Sequence, residues 1–167
     1  QTCALPISVD PDDAELILVA GYMYLEMGDY PAAIERFERV LALPRPPVSL
    51  DGAILPYHKV QAAAKQIDAA LFQWQQAKDE AARAAAMADA KRYRERLADI
   101  IDVGTRPELM IRDARIALSE DRNNVAVALL SELQGMGRGD DSQVILMLAD
   151  ALEKQNALGE ARKQYQR

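Results

Sequence analysis

Residues 14–43 read AELILVAGYMYLEMGDYPAAIERFERVLAL. Ile17, Ala20, Gly21 and Tyr24 recur at helical spacing, and so do Ala33, Phe37 and Val40 beyond Gly28-Asp29-Tyr30. The pattern predicts two amphipathic helices folded into a hairpin. Small residues alternate with large ones on its apolar face, as a hairpin needs in order to pack on a copy of itself. A side chain at Gly21 would meet the neighbouring helix. Asp10 is placed to cap the first helix, with Pro11 at its first position and Asp12, Asp13 and Glu15 in its first turn. Gly28 supplies the left-handed stop. Asp29 caps the second helix, Pro31 lies in its first turn, and Pro44-Arg45-Pro46-Pro47 ends it near Leu43.

The same design returns, more faintly, towards the other end. Residues 107–134 place Leu109, Ala114 and Ala117 on one helix and Ala126, Leu130 and Leu133 on the next. Residues 141–167 place Leu148, Ala149 and Leu152, then Ala161 and Tyr165. Ala114 and Ala149 are 35 residues apart, as are Ala126 and Ala161, and Leu130 and Tyr165. Each such unit buries its apolar face only by stacking on a neighbour.

On these residues the chain resembles the tetratricopeptide repeat (TPR) family. Residues 14–47 look like one repeat: Gly21 falls on the small residue of the first helix, Tyr24 on its aromatic, Gly28-Asp29-Tyr30 on the turn, and Ala33 and Phe37 on the second helix. Residues 107–140 and 142–167 look like degenerate repeats. Ile17 stands where the family has a Trp. The closing proline is roughly supplied by Pro44 or Pro46, and later repeats lack it. The resemblance covers about half the chain. It implies a right-handed α-solenoid whose first helices line a concave face. That face would carry Glu15, Leu18, Tyr22 and Leu25, then Arg112, Arg115 and Ser119, then Gln143, Met147 and Asp150. Such a mixture suits an extended peptide or a partner helix. The Lys and Asn pattern with which some relatives clamp a terminal carboxylate is not reproduced.

The middle departs from the period. Gly21 and Ala114 are 93 residues apart, neither two nor three repeats. Tyr57 to Val103 contains no Gly or Pro. Val60, Ala64, Ile67, Leu71 and Trp74 trace one stripe, and Tyr93, Leu97, Ile100 and Ile101 another. Two lengthened helices, about 54–76 and 79–102, satisfy this, with the turn at Lys78-Asp79-Glu80; one unbroken helix is the alternative.

Half the residues are hydrophobic but only 5% aromatic, which favours closely spaced helices over an aromatic-lined pocket. The net charge of −6 disfavours a general nucleic-acid binder. Eight acids and two bases in residues 1–40 carry all of it, and the remainder is balanced. Cys3 is the sole cysteine and His58 the sole histidine, so neither an internal disulfide nor an ordinary zinc site can be assembled. His58 has no local nucleophile or orienting carboxylate and reads as structural. Gly135-Met136-Gly137-Arg138-Gly139 lacks the strand and Lys-Ser/Thr of a phosphate loop and reads as a flexible linker. The Arg138-Gly139-Asp140 tripeptide carries no weight by itself. Lys91-Arg92-Tyr93-Arg94-Glu95-Arg96 reads as a solvated face with Tyr93 and Leu97 turned inward. Trp74 and the methionines fall on helical stripes and read as core.

The expectation is therefore an all-α chain of about four hairpins, the second enlarged. Its segments are 1–8 (QTCALPIS, resembling a translated sequencing-adapter end), 9–47 (TPR-like hairpin), 48–104 (expanded hairpin) and 105–167 (two degenerate hairpins, stopping inside the last helix as a fragment would). The expected function is non-catalytic, a scaffold binding a protein or peptide, with no cofactor and no metal. The alternative is a regulatory or targeting TPR segment of a larger enzyme or of a secretion or assembly component. An autonomous enzyme is disfavoured. No apolar run reaches membrane-spanning length. Compartment, cytoplasmic or periplasmic, and oligomeric state are left open.

Overall fold

The computed structural model describes residues 12–44, 57–102 and 104–166, together with the backbone of 50–56. Among these it is entirely helical, with α1 Ala14–Glu26, α2 Tyr30–Ala42, α3 Leu50–Gln76, α4 Glu80–Ile100, α5 Arg106–Ser119, α6 Asn123–Leu133, α7 Ser142–Lys154 and α8 Leu158–Tyr165. QTCALPIS and the Asp10-Pro11 start lie outside the described residues. The first cap is Asp13, whose carboxylate accepts from the Glu15 and Leu16 amides at 2.9 and 3.1 Å. Asp29 and Asp79 cap α2 and α4, accepting from the Ala32 and Ala82 amides. The middle is two helices, broken where the Asp79 cap lies.

The helices pack as successive antiparallel pairs. α1 lies on α2, α3 on α4, α5 on α6 and α7 on α8, and the first helices also meet one another, α1 with α3, α3 with α5 and α5 with α7. Three of the pairs turn in one register. Gly28 takes φ 77°, its amide reaches the Leu25 carbonyl, and the Asp29 amide reaches the Tyr24 carbonyl at 3.0 Å. Asp121 and Asn156 adopt the same left-handed conformation, φ 56° and 61°, with the Arg122 and Ala157 amides returning to Ala117 and Leu152. This double bond satisfies the last carbonyls of a helix. Counted from that residue, Gly21, Ala114 and Ala149 stand at one position and Ala33, Ala126 and Ala161 at another, all six buried.

The enlarged pair turns differently, and α3 occupies the centre. It touches α1, α2, α4 and α5. Accordingly, between Val60 and Leu71 only Gln61 and Lys65 keep partial exposure: Ala62, Ala63, Ala64, Ala69 and Ala70 are fully inaccessible, as are Ile67 and Gln66. A helix surrounded in this way must be narrow, and alanine makes it so. Gln66 donates to Glu38 of α2 at 2.8 Å, and Arg96 of α4 reaches the same carboxylate at 2.7 Å, tying three helices through one group.

Two expectations are corrected. Gln134–Arg138 does connect α6 to α7, but as a coiled turn kinked at Gly137, which takes φ 88°, and not as an extended linker. The methionines are not uniformly core. Met110 is buried, but Met23, Met27 and Met136 are 62%, 75% and 46% exposed. Periodicity locates an apolar face without saying whether anything covers it. Trp74 is only half-buried.

At Gly21 a Cβ would stand 2.5 Å from Phe37 Cε1, inside van der Waals contact. Gly21→Ala is therefore expected to cost about 1–3 kcal/mol by forcing the buried ring aside. Phe37→Ala is expected to cost about 3–5 kcal/mol. Because the two act on one contact, the double variant should be less unstable than the sum of the singles, measured by urea denaturation.

Candidate functional site

α3 carries one acid in its buried stretch. Asp68 is 3% exposed, and cations from two helices converge on it. Arg112 Nη2 of α5 donates to one carboxylate oxygen at 3.0 Å, Arg115 Nη1 donates to the other, and Lys65 Nζ lies 3.4 Å away. Arg112 is itself 4% exposed and also donates to Glu108 at 2.6 Å. Glu108 in turn receives Arg138 at 3.4 Å, so the network reaches the turn after α6. Arg112 Nε is buried with no hydrogen-bond partner among the described residues. An acid in this position is tolerated only because it is paired, since an isolated buried charge would be prohibitive. Burial pushes the Asp68 carboxyl up, but Arg112, then Arg115 and Lys65, outweigh it and hold the group below the usual carboxylate range.

Aromatic rings surround the cluster. Lys65 Nζ sits 5.4 Å from the centre of the Tyr22 ring, and the Arg115 guanidinium 5.4 Å from that of Phe72. Tyr22 also meets Phe37 edge-on at 5.9 Å, and Phe72 stacks on Tyr30. Burial, then the neighbouring Tyr57, pushes the Tyr22 phenol up to about 12 against the opposing field of Arg112.

Of the residues expected on the concave face, the structure brings Tyr22, Arg112 and Arg115 together around Asp68. Leu18 and Leu25 are buried in the first hairpin's core, and Arg112 has almost no free surface. Ser119 donates its hydroxyl to the Arg115 carbonyl, Asp150 pairs with Lys154, and Met147 packs against the α5–α8 core. Glu15 and Gln143 are exposed at helix starts. Asp68 and Lys65 were missed by sequence reasoning. The available signal was position: Asp68 follows Ala64 by four and precedes Leu71 by three, which puts an acid on an apolar stripe.

The basic run of α4 is neutralised within the molecule. Lys91 pairs with Glu120 at 2.5 Å, Arg92 with Asp89 at 2.9 Å, Arg94 with Asp113 through two bonds and Arg96 with Glu38. Tyr93 and Leu97 are turned inward as expected. A cleft between α4, α5 and α6 is lined by Lys91, Arg94, Arg122 and Asp113 over Ile116, Val125 and Leu129, its cations already paired. Among the described residues no group of His, Cys, Asp and Glu could hold a metal, and no helix is long and apolar enough to cross a membrane. Comparisons with protein families, with curated proteins and with solved structures found no match.

Asp68→Ala leaves the buried Arg112 with Glu108 as its one remaining ion-pair partner and is expected to cost about 3–5 kcal/mol, whereas replacing Asp68 and Arg112 together by apolar residues should recover much of it in equilibrium unfolding. Because Asp68 has a depressed pKa, its stabilisation is full above the unfolded value near 4 and is lost as pH falls through the lower folded value; Asp68→Asn should flatten that acid limb. Tyr22 is the opposite case. Its raised pKa contributes stability below about 10 that is lost as pH rises towards about 12, so ultraviolet titration should show a late tyrosine that Tyr22→Phe removes.

Proposed function

We propose that the chain is a non-catalytic interaction scaffold of TPR-like construction, its hairpins stacked as a right-handed solenoid. The first helices α1, α3, α5 and α7 form the binding face, and the occupant is a peptide or helix of a partner protein. The shared turn register of three hairpins, with small residues at matching positions, supports the repeat reading. The observation that carries the binding reading is the serial contact of the first helices, with Lys65 over the Tyr22 ring, Arg115 over the Phe72 ring and Tyr57 close enough to Tyr22 to act on its phenol. With Asp141, which lies 3.8 Å from Arg138, this network sets four cations (Lys65, Arg112, Arg115 and Arg138) against three acids (Asp68, Glu108 and Asp141), an excess of one in a chain of net charge −6. A local positive excess beside flat rings favours a segment that mixes acidic and apolar side chains.

Tyr57 is 56% exposed and Lys65 partly so, which makes them safer probes than the buried arginines. Affinity capture with the wild-type chain and with a Tyr57→Ala, Lys65→Ala variant, compared by mass spectrometry, tests this face. Partners recovered by the wild type should be depleted with the variant, while circular dichroism stays unchanged. Equal recovery would remove this surface from consideration.

A further inference from the structure

Two of the gaps between successive second helices are tied shut by a side-chain bond. Glu38 of α2 holds Arg96 of α4 across α3, and Gln134, just past α6, holds Gln164 of α8 across α7. The gap between α4 and α6, over α5, is different. Among the described residues no side chain of α4 bonds one of α6. Lys91 and Arg94 of α4 turn instead to Glu120, just past α5, and to Asp113 of α5. A cleft of about 380 Å³ remains, within the size range of small-molecule sites. Ile116 of α5 and the half-buried Val125 and Leu129 of α6 give it an apolar floor.

Positive charge marks one end. Lys91 and Arg122 share the single carboxylate of Glu120, at 2.5 Å each, so two cations stand there against one acid. The acid lies underneath: the Glu120 side chain is 24% exposed, those of Lys91 and Arg122 54% and 51%. An arriving molecule therefore meets ammonium and guanidinium first. Arg122 also stands at the start of α6, and its side chain caps none of the helix amides, so the positive end of the helix dipole adds to the same field. Arg94 is matched by Asp113 through two bonds, which leaves the cleft one cation in excess. Leu129 lies seven residues beyond Arg122, about 10 Å along α6, so the apolar floor leads away from the charged end. From this we propose that the cleft binds a small amphipathic anion, one carboxylate or phosphate head on an unbranched apolar chain. The head sits between Lys91 and Arg122, and the chain lies over Ile116 and Val125 towards Leu129. The site belongs to the second-helix side of the molecule and does not rest on the peptide reading of the first helices.

The test titrates decanoate, decyltrimethylammonium and acetate into the full chain in low-salt buffer, below micelle formation, and follows the Val125 and Leu129 methyl signals. Decanoate should bind and shift both. Decyltrimethylammonium carries the same chain on the opposite charge and acetate carries the head alone, and each should bind at least about tenfold more weakly. Lys91→Gln combined with Arg122→Gln, both at exposed positions, should weaken decanoate by about tenfold or more. Glu120→Gln should strengthen it by about threefold, because it releases both cations. Absence of a shift with decanoate, equal binding of decanoate and decyltrimethylammonium, or unchanged affinity in the Lys91, Arg122 double variant overturns the proposal. Unchanged or weaker binding in Glu120→Gln does so too. The Tyr57→Ala, Lys65→Ala variant separates the two faces. Retained decanoate binding supports this cleft, and lost binding places the anion on the first helices and refutes it.

Discussion

The architecture depends on a helix whose middle has almost no outside. α3 is enclosed by four others, and each neighbour demands a close approach. Alanine at 62, 63, 64, 69 and 70 meets that demand by withdrawing side-chain volume all round the helix. The polar groups left in this stretch must then find partners inside the protein. Gln66 does so through Glu38, and Asp68 through Arg112, Arg115 and Lys65. The electrostatics of the central face is thus a consequence of packing. A carboxylate placed on the hub obliges the next first helix to carry two arginines, one helical turn apart.

Local signals proved the most legible part of the chain. Gly28, Asp29 and Asp79 stop or start helices where their chemistry predicts, because each acts on backbone groups within four residues. The matching small residues were equally readable, since spacing survives even where Gly28 is replaced by Asp121 or Asn156 at the left-handed position. Those two residues accept a conformation that L side chains rarely adopt, which is why the later turns are harder to recognise. Asp13 rather than Asp10 caps the first helix. Three acids crowd that region, and composition alone cannot choose among carboxylates that would each serve.

What escaped sequence reasoning is whatever depends on a partner far away in the chain. Asp68 and Arg112 are 44 positions apart, and neither periodicity nor propensity couples them. The basic run of α4 shows the same limitation from the other side. Its cations look available along the sequence, yet their carboxylates come from α2, from α5 and the residue after it, and from α4 itself. Met23 and Met27 continue the apolar spacing of α1 and its turn yet are exposed, because spacing puts a residue on a face without supplying a neighbour for it. Leu18 and Leu25, expected on the concave face, are buried in the cluster that joins α1 and α2 to Ala62 and Ala69 of α3.

The pairs made by α4 have a further consequence. Arg96 fastens this helix to α2, while Arg94 and Lys91 fasten it to α5 and to Glu120 just beyond it, and all three bonds lie near the surface where mobile ions penetrate. Ionic strength therefore acts as a tuning knob on the joint between the enlarged pair and its neighbours. Dilute buffer stiffens the molecule there and brine loosens it, while the alanine-lined centre remains indifferent to both.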